Sequence, residues 1–107
     1  MTSYQVEVTN QVRKEIRRLP GNMRQRVLRI LKALEQEPQP HSSQLLDITK
    51  IGVELEPGAK LCRIRIASWR IVYFIEEEWK LISVLAIRKR PPYQYDDLDE
   101  LIKSIQD

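Results

Sequence analysis

The sequence predicts a small α+β domain with one strand, a helical hairpin, a three-stranded antiparallel meander and a short C-terminal helix. Apolar residues recur at helical spacing between Val12 and Leu34. From Lys60 onward the pattern changes to extended apolar runs joined by very short turns, which is typical of sequential antiparallel strands. The length of 107 residues and the hydrophobic content of 42% suit one modest core. We therefore expect a single domain over residues 1–107.

Residues 1–37 are predicted to form the first strand and the helical hairpin. Apolar and polar residues alternate over residues 4–8, and Thr9 or Asn10 can cap the helix that follows. The helical pattern is interrupted at Pro20-Gly21-Asn22 and ends at Pro38. We interpret the cations on the other side of the hairpin as the solvated face of a helical layer, with a nucleic-acid surface as the alternative. These cations are Arg13, Lys14, Arg17, Arg18, Arg24, Arg26, Arg29 and Lys32.

The remainder of the chain divides into a loop, a sheet and a final helix. Residues 38–58 are rich in Pro, Ser, Gln and Gly and predict a long loop that is either ordered by packing or functional. His41 lies in this loop, and we interpret it as a surface residue, although a mobile loop can deliver a base. Residues 59–95 predict the sheet and residues 96–107 the C-terminal helix, with acids in its first turn. The predicted strands are Lys60–Ile66, Trp69–Ile75 and Trp79–Ile87, with Glu76–Glu78 as the last hairpin turn.

Composition excludes several classes of protein. The single cysteine cannot form an internal disulfide or a Cys-rich zinc site, and it fits a reducing cytoplasm. No set of carboxylates clusters with the one histidine, so we predict neither a metal nor another cofactor. No evident signal sequence is present, and no apolar run approaches the roughly 20 residues of a membrane span. We therefore expect a cytoplasmic protein that is not embedded in a bilayer.

Charge is distributed unevenly along the chain. Residues 1–93 contain 17 Lys or Arg against 10 Asp or Glu, whereas residues 94–107 contain one Lys against five acids. A basic body suggests an anionic partner, and the acidic tail can fold over the basic surface when that partner is absent.

Three arginines stand in strands where a purely structural sequence would not need them. Arg63 and Arg65 alternate with apolar residues, so both point to one face of their strand, roughly 7 Å apart. Their ordinary role would be to line a solvent-facing side. Arg70 interrupts a nearly continuous apolar run, which predicts a central strand covered on both faces. A charge in such a strand needs an anion, a carboxylate or open water at its head.

A second basic and aromatic cluster follows the last strand. Arg88, Lys89 and Arg90 precede two tyrosines, Tyr93 and Tyr95, which we expect to be exposed. Guanidinium groups bind phosphate oxygens and aromatic rings stack on bases, so these groups suit phosphodiester recognition. For cleavage, they could stabilise a pentacovalent phosphate while a tyrosine or lysine moves protons. We interpret four other residues as packing groups: Tyr73, Phe74 and Trp79 in the core or on a sheet face, and Cys62 in the core.

The order of elements and two motifs resemble the RelE/ParE superfamily of bacterial toxins from toxin–antitoxin modules. The motifs are R-I-R-I-A-S-W-R-I-V-Y at residues 63–73 and Arg88-Lys89-Arg90 with a tyrosine close behind. The resemblance extends from Tyr4 to about Tyr95. Members similar to RelE cleave messenger RNA in the ribosomal A site without a metal, with the 2′-hydroxyl attacking the phosphate. Members similar to ParE poison DNA gyrase and are not nucleases.

The resemblance implies a set of site residues. Arg70 matches the transition-state arginine of the RNA-cleaving members, Arg88 or Arg90 the arginine after the last strand, and Tyr93 or Tyr95 the C-terminal tyrosine. A further basic position of the best-known RNA-cleaving type falls on Leu61, with Lys60 as the nearest cation. The assignment gives catalytic roles to Arg70, Arg90, Tyr93 and Tyr95 and RNA contacts to Lys60, Arg63, Arg65, Arg88 and Lys89, with no metal ligand.

The retained arginines favour a ribosome-dependent endoribonuclease as the expected function. The implied partners are the ribosome with its messenger RNA and a cognate antitoxin, with no small-molecule cofactor. An acidic, amphipathic segment of that antitoxin would neutralise the arginines or displace the C-terminal helix. The alternatives are a ParE-like toxin that binds gyrase without nuclease activity and a plain nucleic-acid-binding module.

Overall fold

A computed structural model describes residues 3–46 and 58–89 of the chain. The described elements form a five-stranded sheet in the order β1-β5-β4-β3-β2. Both helices pack their apolar residues into one core with one face of this sheet. The α+β class is therefore confirmed. The elements are β1 Gln5–Val8, α1 Asn10–Arg17, α2 Gly21–Ala33, β2 Ser43–Leu45, β3 Ala59–Ile66, β4 Trp69–Glu76 and β5 Leu81–Lys89.

The predicted helical hairpin forms, although α2 already begins at Gly21, inside the predicted break, and ends at Ala33, before Pro38. The Thr9 hydroxyl oxygen accepts a hydrogen bond from the backbone N–H of Val12 (3.1 Å), so Thr9 caps the first helix. At the other end, the guanidinium of Arg24 donates to the backbone oxygens of Arg17 (3.1 Å) and Leu19 (3.2 Å). These bonds satisfy carbonyls at the end of α1 that have no partner within the helix. Arg24 therefore joins the two helices as well as contributing charge.

The three long strands form the predicted antiparallel meander, and β4 lies in the middle of the sheet. Every residue of β4 from Arg70 to Ile75 is buried, as the apolar run predicted. The first strand, β1, runs parallel to β5 and forms one edge of the sheet. Where β1 ends, a carboxylate oxygen of Glu15 accepts a hydrogen bond from the N–H of Ile87 (3.2 Å). A side chain of α1 thus takes over pairing that a strand would otherwise supply.

Alternation along the strands separates two faces. Cys62, Ile64 and Ile66 of β3 belong to the core that the helices cover, and the buried residues of that core on β4 and β5 are Ile71, Tyr73, Ile75, Ile82, Val84 and Ile87. The opposite face carries buried apolar residues at one end of the strands, Leu61 and Phe74 among them, and arginines at the other. We call these the helix face and the arginine face.

The structure corrects two boundaries. Residues 43–45, inside the predicted loop, form a short strand, β2, that pairs antiparallel with β3. The last strand begins at Leu81 instead of Trp79, because Glu77–Lys80 form the turn and the N–H of Lys80 donates to the oxygen of Glu77 (3.3 Å). Trp79, expected in the core or on a sheet face, is therefore 69% exposed. The predicted C-terminal helix and residues 47–57 lie outside the described residues.

None of the helices in the described ranges is long and apolar enough to cross a membrane.

Candidate functional site

The pairing of β3, β4 and β5 places three arginines side by side. Arg65 of β3 is directly opposite Arg70 of β4, and Arg70 is directly opposite Arg88 of β5. Neighbouring strands are about 4.8 Å apart, so the row extends roughly 10 Å across the sheet. Arg63 lies two residues before Arg65 on the same face. We call Arg65, Arg70 and Arg88 the arginine row.

Two local features of the backbone set this alignment. The β3–β4 turn contains only two residues, Ala67 and Ser68, and Ala67 adopts a positive φ of 52°. Such tight turns fix the register of the strands that they join. On β5 the register shifts opposite Val72 and Tyr73, which face Ala86 and Val84, so that Leu85 is an extra residue. Because of this bulge, Arg88 lies on the arginine face instead of the helix face.

The arginines of this face differ in exposure. Arg70 is only 1% exposed, Arg63 and Arg88 are half-buried, and Arg65 is exposed. Like charges directly opposite one another on a sheet are destabilising. A guanidinium also stays protonated at all pH values relevant to proteins. The row therefore concentrates permanent positive charge at the Arg65–Arg70 end of the sheet.

An open groove of about 420 Å³ lies beside the row. It is lined by His41, Ser42, Ser43, Gln44, Arg63 and Arg65. The amide oxygen of Gln44 accepts a hydrogen bond from the guanidinium of Arg63, its partner across the strands. Both the N–H (2.8 Å) and the hydroxyl (2.7 Å) of Ser43 donate to the oxygen of Pro40, which closes the turn that carries His41. β2 thus forms one wall of the groove and the arginines of β3 form the other.

Two predicted RNA contacts lie away from the arginine row. Lys60 is two residues before Cys62 on β3, and Lys89 is two residues after Ile87 on β5. Because side chains alternate between the faces of a strand, both lysines lie on the helix face. The ammonium group of Lys60 lies 3.6 Å from a carboxylate oxygen of Glu77 and donates to the amide oxygen of Gln39 (3.2 Å). Leu61, the position at which the resemblance implies a cation, is 1% exposed. The structure therefore brings together Arg63, Arg65, Arg70 and Arg88, and it separates Lys60 and Lys89 from them.

Lys60 takes part in a polar network at the opposite end of the strands. The Tyr4 hydroxyl donates to Glu77, and Lys80 lies 3.4 Å from that hydroxyl and 4.9 Å from the centre of the Tyr4 ring. The hydrogen bond from Tyr4, followed by the charges of Lys60 and Lys80, lowers the pKa of Glu77. The same hydrogen bond, together with burial, raises the pKa of Tyr4. We call Tyr4, Lys60, Glu77 and Lys80 the closed network.

Two titratable groups on the helix face are unsuited to reaction. Cys62 is fully buried, and burial raises the pKa of its thiol to about 11, so the thiolate that reacts as a nucleophile does not form near neutral pH. Burial also raises the pKa of Tyr73, whose hydroxyl donates to the oxygen of Pro38 (2.7 Å). Both residues pack in the core, as their sequence positions predicted.

The remaining predicted site residues, Arg90, Tyr93 and Tyr95, lie outside the described residues. Within residues 3–46 and 58–89, no group of three or more His, Cys, Asp or Glu side chains could hold a metal ion. Sequence reasoning missed Ser42 and Gln44 and gave His41 no place near the arginines. A three-residue strand is too short to produce a recognisable alternation, and only its pairing with β3 shows where these side chains lie.

Comparisons with known proteins identify the family and the fold. The sequence model of the ParE toxin of type II toxin–antitoxin systems matches residues 6–91. A chain of the archaeal RelE–RelB complex from Pyrococcus horikoshii OT3 superposes with a TM-score of 0.72 at 28% identity, covering 87% of this chain and 100% of that one. A chain of the toxin–antitoxin complex RelBE2 from Mycobacterium tuberculosis follows with a TM-score of 0.63 at 24% identity, covering 82% of this chain and 99% of that one.

The free RelE toxin of Escherichia coli, in a mutant form, has the same fold, with a TM-score of 0.61 at 18% identity, covering 96% of this chain and 98% of that one. A search of curated proteins returned no match. The family model covers residues 6–91, which is most of the chain. The chain therefore belongs to the ParE toxin family of type II toxin–antitoxin systems, within the RelE/ParE superfamily.

Proposed function

We propose that this toxin is a ribosome-dependent endoribonuclease that cleaves messenger RNA and thereby inhibits translation. The observation that carries the proposal is the arginine row, in which Arg65, Arg70 and Arg88 occupy directly opposite positions on three strands. Like charges placed directly opposite one another raise the local positive potential, and this supports an anionic ligand. A phosphodiester backbone matches both the charge and the spacing of the row.

The proposed chemistry assigns different tasks to the arginines. Arg63, Arg65 and Arg88 reach the surface to different extents and would hold phosphate oxygens of the RNA. Arg70 and Arg90 would stabilise the additional negative charge that develops on phosphorus during cleavage, a role that preorganised cations perform without a metal. Tyr93 or Tyr95 would orient the base or take part in proton transfer. Because Arg70 is buried, binding of RNA must bring a phosphate to its head or open the site around it.

The proposal includes three partners and a compartment. The ribosome presents the messenger RNA, and a cognate antitoxin covers the arginine face. Support for the antitoxin comes from the structural matches, since those from P. horikoshii and M. tuberculosis are toxin–antitoxin complexes. Both the ribosome and the single buried cysteine fit the cytoplasm.

The first experiment is induced expression of the wild type and of Arg70→Ala, with growth recorded and 5′ ends of transcripts mapped during the first minutes. We expect growth arrest with new cuts inside translated codons for the wild type. The variant should cleave about 10²- to 10³-fold more slowly, because it lacks one charge-stabilising donor. Arrest by the wild type with intact transcripts would contradict the proposal.

Two controls separate a lost site from a lost fold. Arg29→Ala makes the same chemical change on the exposed surface of α2, away from the arginine row, and should leave cleavage unchanged. Thermal unfolding of purified Arg70→Ala must show that the variant is folded, because Arg70 is buried in the central strand. Equal losses for Arg29→Ala and Arg70→Ala would show that general positive charge, and not the row, is responsible.

A second candidate function is favoured by the family match itself, since the matching model describes a ParE toxin. A ParE-like toxin would bind and poison DNA gyrase without cleaving RNA. In that case transcripts stay intact, gyrase-linked DNA breaks appear on induction, and purified toxin inhibits supercoiling. Arg70→Ala would then weaken toxicity only if Arg70 contributes to the protein contact.

A further inference from the structure

Cleavage of RNA by its own 2′-hydroxyl requires a group that accepts the proton of that hydroxyl. General bases of this kind contribute about 10²- to 10⁴-fold to rates. Arg63, Arg65, Arg70 and Arg88 cannot fill this role, because a guanidinium is already protonated and does not lose its proton in proteins. The arginine face therefore supplies charge but needs a separate base.

Among the residues that the structure describes, the lining of the groove contains no carboxylate, lysine or tyrosine that could act as that base. Lys60, Lys80 and Lys89 lie on the helix face or in the closed network. Tyr73 is fully buried in the core with its hydroxyl bonded to Pro38. Within the part of the chain that the structure describes, His41 is the residue lining the arginine-lined groove whose side chain can accept a proton near neutral pH.

The strand pairing places His41 at the correct end of the sheet. Ser43 pairs with Ile64 and the two strands are antiparallel, so the residues just before Ser43 lie beside the end of β3 that carries Arg65. Arg65 is in turn opposite Arg70. The two hydrogen bonds from Ser43 to Pro40 hold the intervening turn closed, although the imidazole itself is exposed to solvent. His41 thus lies in a turn that lines the same groove as Arg63 and Arg65.

We propose that His41 is the general base of this toxin, an inference that rests on the endoribonuclease function proposed above. The imidazole takes the proton of the 2′-hydroxyl while the 2′-oxygen forms a bond to the adjacent phosphorus. The bond from phosphorus to the 5′-oxygen breaks, and that oxygen takes a proton from water. The products are a 2′,3′-cyclic phosphate and a 5′-hydroxyl end. The charged groups that share the groove with His41 are Arg63 and Arg65 of β3, and its own segment adds the neutral Ser42, Ser43 and Gln44.

The test is single-turnover cleavage of messenger RNA on purified ribosomes, with saturating wild-type toxin and His41→Gln. The amide of glutamine keeps polarity and approximate size but cannot accept the proton. We expect the variant to cleave about 10²- to 10⁴-fold more slowly. The wild-type rate should rise with pH, because only a neutral imidazole can take the proton, and this dependence should be absent in the variant.

Chemical rescue adds a readout that a structural role would not produce. His41→Ala enlarges an open groove that already has a volume of about 420 Å³, so added imidazole can enter it. We expect imidazole to restore part of the cleavage by His41→Ala and to leave the slow cleavage by Arg70→Ala unchanged. Glu78→Gln, an exposed change in the β4–β5 turn, is the control and should cleave like the wild type.

Two results would overturn the inference and leave the endoribonuclease function intact. One is cleavage by His41→Gln within about threefold of the wild type. The other is a slow variant that keeps the wild-type pH dependence and is not rescued by imidazole, which would make His41 a positioning residue. A wild-type toxin that leaves ribosome-bound messenger RNA intact would instead overturn the proposed function, and this inference with it.

Discussion

The two ends of the central strands hold their charges in opposite ways. In the closed network, the carboxylate of Glu77 lies against the ammonium of Lys60 and accepts a hydrogen bond from Tyr4. At the other end, the register aligns Arg65, Arg70 and Arg88, which have the same charge, across three strands. The closed network sets a carboxylate beside two ammonium groups, whereas the row sets groups of the same charge opposite one another. The first arrangement suits stability and the second suits binding of an anion.

Position along the same strands therefore separates a cation of the closed network from one that we propose to contact RNA. Lys60 and Arg63 are three residues apart on β3, but Lys60 lies on the helix face beside Glu77 and Arg63 lies on the arginine face beside the groove. Composition treats both as basic residues of one strand. They differ in the face of the strand on which each side chain lies, and in the presence of Glu77 beside Lys60.

Of the changes that test this comparison, neutralising Arg65, the exposed member of the row, should have the largest effect on activity and little effect on stability. We expect Arg65→Gln to lower messenger RNA cleavage by about 10- to 100-fold, since a hydrogen bond to a charged group is worth about 1.5–3 kcal/mol. Arg65 is exposed, so the free energy of unfolding should change by less than about 0.5 kcal/mol. Single-turnover cleavage and urea denaturation measure the two quantities.

The matched control for Arg65 is Lys89, an exposed cation at the same end of the sheet but on the helix face. Lys89→Gln removes the same formal charge and should leave cleavage within about twofold of the wild type. A loss as large as that of Arg65→Gln would show that net charge, and not the face of the sheet, governs activity.

The positions of most arginines in the sheet could be predicted from the sequence. The alternation of Arg63 and Arg65 with apolar residues placed both on one face, and the apolar run around Arg70 placed it in the buried central strand, as the structure confirms. The face of Arg88 could not be predicted, because alternation from Ile82 alone would put Arg88 on the helix face. The extra residue Leu85 shifts the alternation by one position, so Arg88 lies on the arginine face instead. Such a β-bulge depends on pairing with the neighbouring strand, which the sequence alone does not show.

The groove was beyond prediction for a similar reason. Residues 43–45 have too few positions to show a period of two, and they form a strand because the edge of β3 offers hydrogen-bond partners. Trp79 was misplaced because its aromatic ring suggested a buried strand, whereas the turn of Glu77–Lys80 exposes it. In both cases long-range pairing, and not local composition, decided the outcome.

A smaller effect is expected for the hydroxyl of Tyr73, which forms a hydrogen bond to the segment before β2. Tyr73→Phe removes the hydrogen bond to the Pro38 oxygen and should lower the free energy of unfolding by about 1 kcal/mol. The change should appear as a lower urea midpoint with an unchanged m-value. Tyr4→Phe, which removes a hydroxyl from the more exposed closed network, should cost less. A Tyr73→Phe variant as stable as the wild type would show that this bond contributes nothing to the anchorage of the segment.

The closed network should give the smallest effect, and one that depends on pH. The hydrogen bond from Tyr4 is the main cause that lowers the pKa of Glu77 from its ordinary value of 4.5. The ionised carboxylate therefore stabilises the fold above about pH 4.5, and this contribution is lost as the pH falls through the lowered pKa. Glu77→Gln should therefore be less stable than the wild type at pH 7 by less than about 1 kcal/mol, because both partners of the pair are partly exposed to solvent. The difference should shrink toward pH 3. Urea midpoints at the two pH values measure this, with cleavage at pH 7 unchanged. An equal difference at both pH values would mean that the charge of Glu77 does not stabilise the fold, and a loss of cleavage would mean that the two ends of the sheet are not independent.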